Sequence, residues 1–227
     1  MIDADDVRRR TERVQHRIAD AGGDIARIGI VAVTKGFDSS AIEAAARAGL
    51  SMIGENYAQE LHGKWNELGT ATKTAVEIHF IGRLQSNKVR QLAGVVDVWQ
   101  SVDRMRLVSE IARHDPGASI FVQLDVSGSA TQGGCRPDEA SPLVAAARRE
   151  GLDVAGCMAI GPQSSPPEIE KAFGELARFA DRHQLEHRCM GMSTDLEAAV
   201  RAGSTMVRIG TALFGNRPPR SASAQGA

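Results

Sequence analysis

The chain has 227 residues and a formal net charge of −1, with 42% hydrophobic and 24% charged residues. Such a composition belongs to a globular chain long enough to bury a core, and excludes a disordered or fibrous one. Near-zero net charge also argues against bulk attraction to nucleic acid or an anionic membrane. Of 27 basic residues only Lys35, Lys64, Lys73, Lys88 and Lys171 are lysines. Arginine stays protonated in proteins, whereas a desolvated lysine becomes a neutral nucleophile, so each lysine here is a candidate for chemistry. Cys135, Cys157 and Cys189 are odd in number and far apart. They read as free thiols in a reducing compartment, with no zinc site. The charged start MIDADDVRRRTERV is unlike a signal peptide, and no apolar run reaches the ~20 residues of a membrane helix. A cytoplasmic protein is expected.

In chain order, residues 4–21 form an amphipathic helix on Val7, Val14, Ile18 and Ala21, ended by Gly22 and Gly23. Residues 28–34 (IGIVAVT) make a first strand, and 41–48 a helix closed by Gly49. A short segment at Met52 and Ile53 leads into GENY. Further strands are expected at 78–81, 95–102, 120–126, 154–160, 188–192 and within 206–214. Helical patterns cover 103–114, 138–150, 166–183 and 195–202. Some eight alternations of strand and helix, with strands apolar on both faces, predict a single (β/α)8 barrel with an extra N-terminal helix. The barrel should take residues 1–217 and leave 218–227 as a loose tail.

Active sites of such barrels sit at the C-terminal strand ends. Strand one ends in Thr34 and Lys35, which puts a lysine amine at the barrel mouth, partly desolvated and lowered in pKa. A lysine merely reaching from a strand end to solvent is the plainer alternative. After strand seven, Ser193, Thr194 and Asp195 read as a helix N-cap. After strand eight, Gly210 and Thr211 offer close backbone approach and a hydroxyl. These two loops are the usual phosphate site of the fold. Alternation within the eighth strand turns Arg208 towards the interior, to a core carboxylate or to a ligand. His79 reads as a core histidine, Met192 as packing, and residues 86–88 as a possible helix cap. No metal-ligand cluster and no Ser-His-Asp set is apparent. A lysine able to form an imine opposite a phosphate anchor suggests pyridoxal 5'-phosphate, with a phospho-sugar aldolase as the rival.

The segments VAVTK, GENYAQE, HFIGRLQSNK, SVD, MGMS and GSTMVRIGTALFG run in order from about residue 28 to 217. They resemble the YggS/PROSC family of pyridoxal phosphate homeostasis proteins. That resemblance implies a barrel like the N-terminal domain of alanine racemase, with Lys35 carrying the cofactor as an internal aldimine. It implies that Ser193 and the backbone of Gly210 and Thr211 hold the phosphate. Arg208 would face the pyridine nitrogen, and Asn56, His79 and Met192 would line the pocket. It implies a keeper of the cofactor, whose partners are the cofactor itself and apo-enzymes that use it. A lean barrel with a polar helical exterior is expected to be a monomer. Charge, apolar run length and residue spacing lead to the expectation that no nucleic acid, membrane or metal takes part. The alternative is a racemase or lyase, but the second base of alanine racemase comes from a further domain that 227 residues leave no room for. The chain departs from the family pattern in having Gly36, Phe37 and Asp38 after Lys35, and Ala130, Thr131, Gln132, Gly133 and Gly134 after strand five. Family lysines usual near both places are absent, so no cofactor relay through them is expected.

Overall fold

The computed structural model describes residues 2–128 and 132–217. Ala130, Thr131 and the expected tail at 218–227 lie outside the described residues. The first element is helix α1 (Ala4–Asp20), capped by the Asp3 carboxylate, which accepts from the Asp5 and Asp6 N–H groups. Then follow β1 (Gly29–Val33), α2 (Ser39–Arg47), β2 (Met52–Glu55), α3 (Ala58–Glu67), α4 (Thr70–Ala75) and β3 (Glu77–Phe80). A 3-10 turn (Ser86–Lys88) enters α5 (Val89–Leu92), before β4 (Val98–Val102), α6 (Met105–His114), β5 (Ser119–Leu124) and α7 (Pro137–Arg149). The chain continues through β6 (Asp153–Ala159), α8 (Pro166–His183), β7 (His187–Cys189), α9 (Leu196–Arg201), β8 (Met206–Ile209) and α10 (Thr211–Phe214).

Each strand pairs in parallel with the next, and β8 pairs with β1, so the sheet closes into a barrel in chain order. The expected barrel and its N-terminal helix are therefore present. Closure splits the apolar residues into two shells. Val31, Val98, Phe121, Met158, Cys189 and Met206 fill the interior. Outward-facing residues such as Ile53, Phe80, Trp99 and Val122 pack against the helices with Leu61, Phe173 and Leu176. A register slip between Trp99 and Val102 turns Val102 outwards and ends the simple alternation of β4.

Some boundaries differ from the sequence expectation. The fourth strand begins at Val98 rather than residue 95, because the chain turns through Gly94 at φ 78° after α5. The seventh ends at Cys189 rather than residue 192, where MGMS leaves the sheet as loop. Helices α3 and α4 occupy a stretch with no predicted element. Among the described residues, no helix is long and apolar enough to cross a membrane.

Candidate functional site

Val31 faces the barrel interior, so by strand alternation Val33 and Lys35 share that side while Thr34 faces outwards. The chain turns away immediately after Lys35, at Gly36 with φ 78°. Lys35 is half-buried at the mouth. Burial first, then the charges of Arg217 and Arg208, hold its amine below the ordinary lysine value, while Glu55 and Glu60 oppose them. This agrees with the desolvated lysine read from the sequence.

Behind Lys35, on the outer face of the sheet, lies a cluster missed in the sequence. Lys64 of α3 is only 4% exposed. Its Nζ donates to Thr34 O at 2.9 Å, Glu55 Oε1 at 2.6 Å and Glu60 Oε1 at 2.6 Å. The Thr34 hydroxyl donates to Glu55 Oε1 at 2.5 Å, and the Gly36 N–H to Glu60 Oε1 at 2.6 Å. Burial pushes the fully buried Glu55 carboxyl up, against the pull of Lys64 and Thr34.

Beside β1, on the same side of the mouth, are the loops after β7 and β8. The Ser193–Asp195 turn is not the forward N-cap that its residues suggest. Asp195 occupies the cap position of α9, but its carboxylate accepts from the preceding Met192 N–H at 2.5 Å and makes no bond into the helix. The loop is thereby folded back on itself, and Arg17 of α1 donates to Ser193 O at 3.0 Å. Ser193 and Met192 are half-buried, and the Ser193 hydroxyl has no partner among the described residues. At α10 the Leu213 and Phe214 N–H groups return to Gly210 O. The Thr211 and Ala212 N–H groups, first in the helix, are left open. A Cβ at Gly210 would meet Val33 only at ordinary contact distances, from 3.4 Å outwards, so packing alone does not demand glycine there.

Arg208 points inwards as expected, 5% exposed, but no carboxylate receives it. Nη2 donates to Ala159 O at 2.9 Å, and Nη1 donates to Cys189 O at 2.8 Å and Cys189 Sγ at 3.3 Å. These bonds stretch the guanidinium across the ends of β6 and β7 and leave Nε without a protein partner among the described residues. From there a buried chain crosses the barrel. The Cys189 thiol donates to Gln100 Oε1 at 3.1 Å, and Gln100 Nε2 lies 2.6 Å from His79 Nδ1. His79 Nε2 is 3.3 Å from Glu77 Oε1 without forming a directed hydrogen bond. His79 is thus joined to Arg208 through the interior, deeper than the rim. Gln100 and Cys189 carried no signal beyond their place on apolar strands.

Asn56, just beyond β2, is half-buried with its Oδ1 enclosed and unpartnered. Gly82, within HFIGRLQSNK, packs so closely on it that a Cβ there would lie 2.0 Å from Asn56 O. A separate cavity of about 640 Å³ opens on the rim at Arg83, Leu84, Gln85, Asp103 and Arg104, and none of the predicted site residues line it. Among the described residues no group of His, Cys, Asp or Glu side chains is arranged to hold a metal.

The end of β1 therefore offers an amine with a depressed pKa. The neighbouring ends of β7 and β8 offer an unpartnered hydroxyl, open N–H groups and a fixed guanidinium. Such a set suits a small anionic molecule that carries both a phosphate and a carbonyl group.

The chain is similar in sequence and in fold to known proteins. Residues 2–218 match the family model for the N-terminal domain of alanine racemase. A protein of Pseudomonas aeruginosa called pyridoxal phosphate homeostasis protein is 37% identical, over 94% of this chain and 95% of its own. A crystal structure of an unknown protein from Bifidobacterium adolescentis superposes with a TM-score of 0.86 at 30% identity, covering 93% and 95% of the two chains. The structure of PipY from Synechococcus elongatus with pyridoxal phosphate bound gives 0.74 at 28% identity, covering 89% of this chain and all of PipY. The chain belongs to the family of the alanine racemase N-terminal domain, among the pyridoxal phosphate homeostasis proteins.

Proposed function

We propose that this protein holds pyridoxal 5'-phosphate at the barrel mouth and keeps it in store for other proteins, rather than turning over amino acids itself. The observation that carries the reading is the half-buried Lys35 amine, depressed by burial, at the end of a strand that neighbours the open donors of β8 and α10. Pyridoxal 5'-phosphate supplies an aldehyde that condenses with a neutral amine, and a phosphate that anchors it. Lys35 offers the amine, and its depressed pKa keeps more of it neutral at a given pH. The Ser193 hydroxyl and the Gly210–Thr211 backbone would hold the phosphate. Arg208, charged and fixed by two carbonyls, would face the ring nitrogen. A permanent cation there opposes ring protonation and so disfavours the electron-sink chemistry of a racemase. Asn56 and Met192 border the same pocket, and His79 supports it from below through Gln100. The PipY complex and the names of the relatives support the choice of cofactor.

The test is borohydride reduction of the cofactor-loaded protein, followed by peptide mapping. The modified residue is expected to be Lys35, and Lys35→Ala should lose the trapped adduct. An adduct on another lysine of the wild type, or none, overturns the reading. Turnover of L- or D-amino acids that disappears in Lys35→Ala would instead make the protein an enzyme.

A further inference from the structure

Every hydrogen of the Lys64 ammonium meets an acceptor, and each acceptor belongs to the neighbourhood of Lys35. One is the carbonyl of the residue before it, Thr34. Another, Glu60, also accepts from the N–H of the residue after it, Gly36. The third, Glu55, also takes the Thr34 hydroxyl. Lys64 itself sits between α3 and the sheet, on the outer side of β1, and its ammonium bonds Thr34, Glu55 and Glu60. A buried ammonium shared between two carboxylates is costly to desolvate, and a well-packed apolar side chain would serve stability at least as well. The arrangement therefore calls for a purpose beyond packing.

We propose that Lys64 and Glu60 of α3 are positioning residues for Lys35: they pin the main chain on both sides of it, aim its amine into the mouth and fix the charge beside it. This rests on the reading of Lys35 as the cofactor amine. The two residues act differently. Lys64 ties the end of β1 to α3 through the Thr34 carbonyl. Glu60 holds the turn at Gly36, and its carboxylate, 26% exposed at the side chain, favours the charged form of the Lys35 amine. The charged groups around that amine are Glu55 of β2, Glu60 and Lys64 of α3, Arg208 of β8, and Arg217 after α10. Glu60 favours the ammonium, so neutralising it lowers the pKa of Lys35 further.

The experiment measures acetylation of Lys35 in the cofactor-free protein as a function of pH by peptide mapping, with exposed Lys171 as the internal reference. Only the neutral amine reacts, so the midpoint reports its ionisation. Glu60→Gln keeps an oxygen for Gly36 and Lys64 but removes the charge. Its midpoint for Lys35 should fall below that of the wild type, with a several-fold faster rate at neutral pH. Lys64→Met should weaken cofactor binding by about tenfold or more, beyond Leu143→Ala, a distant core variant on α7 destabilised to a similar melting temperature. An unmoved midpoint in Glu60→Gln overturns the proposal. So does wild-type affinity in folded Lys64→Met. If Lys64→Met does not fold, the Glu60→Gln midpoint decides. If borohydride trapping fails at wild-type Lys35 while the midpoint still falls, the cofactor reading is wrong and the clamp stands. Trapping at Lys35 with an unmoved midpoint has the opposite meaning.

Discussion

Ser193 and Arg208 differ in how much of their bonding capacity the protein already uses. Arg208 satisfies two strand-end carbonyls, so its position is fixed before any ligand arrives. The Ser193 hydroxyl is uncommitted; only its carbonyl is held, by Arg17. Removing the hydroxyl should therefore cost ligand contact and little else. Ser193→Ala is expected to weaken cofactor affinity by roughly 1–3 kcal/mol, the scale of a hydrogen bond to a charged group, with the melting temperature of the free protein unchanged. Arg208→Ala, by contrast, strips the Ala159 and Cys189 carbonyls of their donors and should shift both stability and the absorption of the bound cofactor. Fluorescence titration of the two variants separates these outcomes. Full affinity in Ser193→Ala would move the phosphate to another loop. At this scale the sequence showed the inward turn of Arg208 through strand alternation. It did not show the acceptors, because backbone carbonyls of β6 and β7 leave no trace in residue types.

Helix α1 lies outside the barrel's eight repeats, yet it reaches both sides of the candidate phosphate cup. Arg17 bonds the Ser193 carbonyl, and Arg10 donates to Leu213 O at 3.1 Å, in α10. Arg17 also forms a partly buried, two-pronged ion pair with Glu197, which holds its guanidinium in place. The bond to the loop carbonyl is the one that orders Ser193. Arg17→Ala should thus weaken cofactor binding by roughly 0.5–1.5 kcal/mol, the net value of one hydrogen bond. Isothermal titration of the variant checks this, and unchanged affinity would reduce α1 to packing. Helix α1 was plain in the sequence because Val7, Val14 and Ile18 keep a helical spacing among arginines. Helix α3 was not. Its apolar positions are few, Gly63 interrupts it, and one of its two buried side chains is Lys64 itself. A polar residue on the inner face erases the amphipathic pattern, so the missing helix and the missing lysine have a single cause. The count of five lysines pointed to Lys35 by its place after an apolar strand; Lys64 had no such marker.

For the whole molecule, the alternation of apolar strands with helical segments was sufficient to predict the barrel, since closure in chain order needs no long-range pairing to be guessed. Closure also ties ligand binding to global stability. The pocket draws on β1, β7 and β8, which neighbour one another across the seam where the last strand meets the first. A ligand spanning that seam binds only the closed barrel and so stabilises it by mass action. At a free concentration one hundred times its dissociation constant the gain is about 2.7 kcal/mol. For a chain of this size each kcal/mol raises the melting temperature by roughly 2–4 °C. Saturating pyridoxal 5'-phosphate should therefore raise it by roughly 5–11 °C in calorimetry or fluorescence melting. The gain should have a definite pH dependence. Uptake at Lys35 uses the neutral amine, so the increment should shrink as pH falls and the ammonium becomes harder to deprotonate. The depressed pKa extends useful uptake to lower pH than an exposed lysine would allow. Lys35→Ala should retain only the smaller, phosphate-based part of the increment, with a different pH dependence because the amine is gone. An increment of equal size and pH profile in both proteins would show that the ligand does not depend on Lys35 for its hold on the barrel.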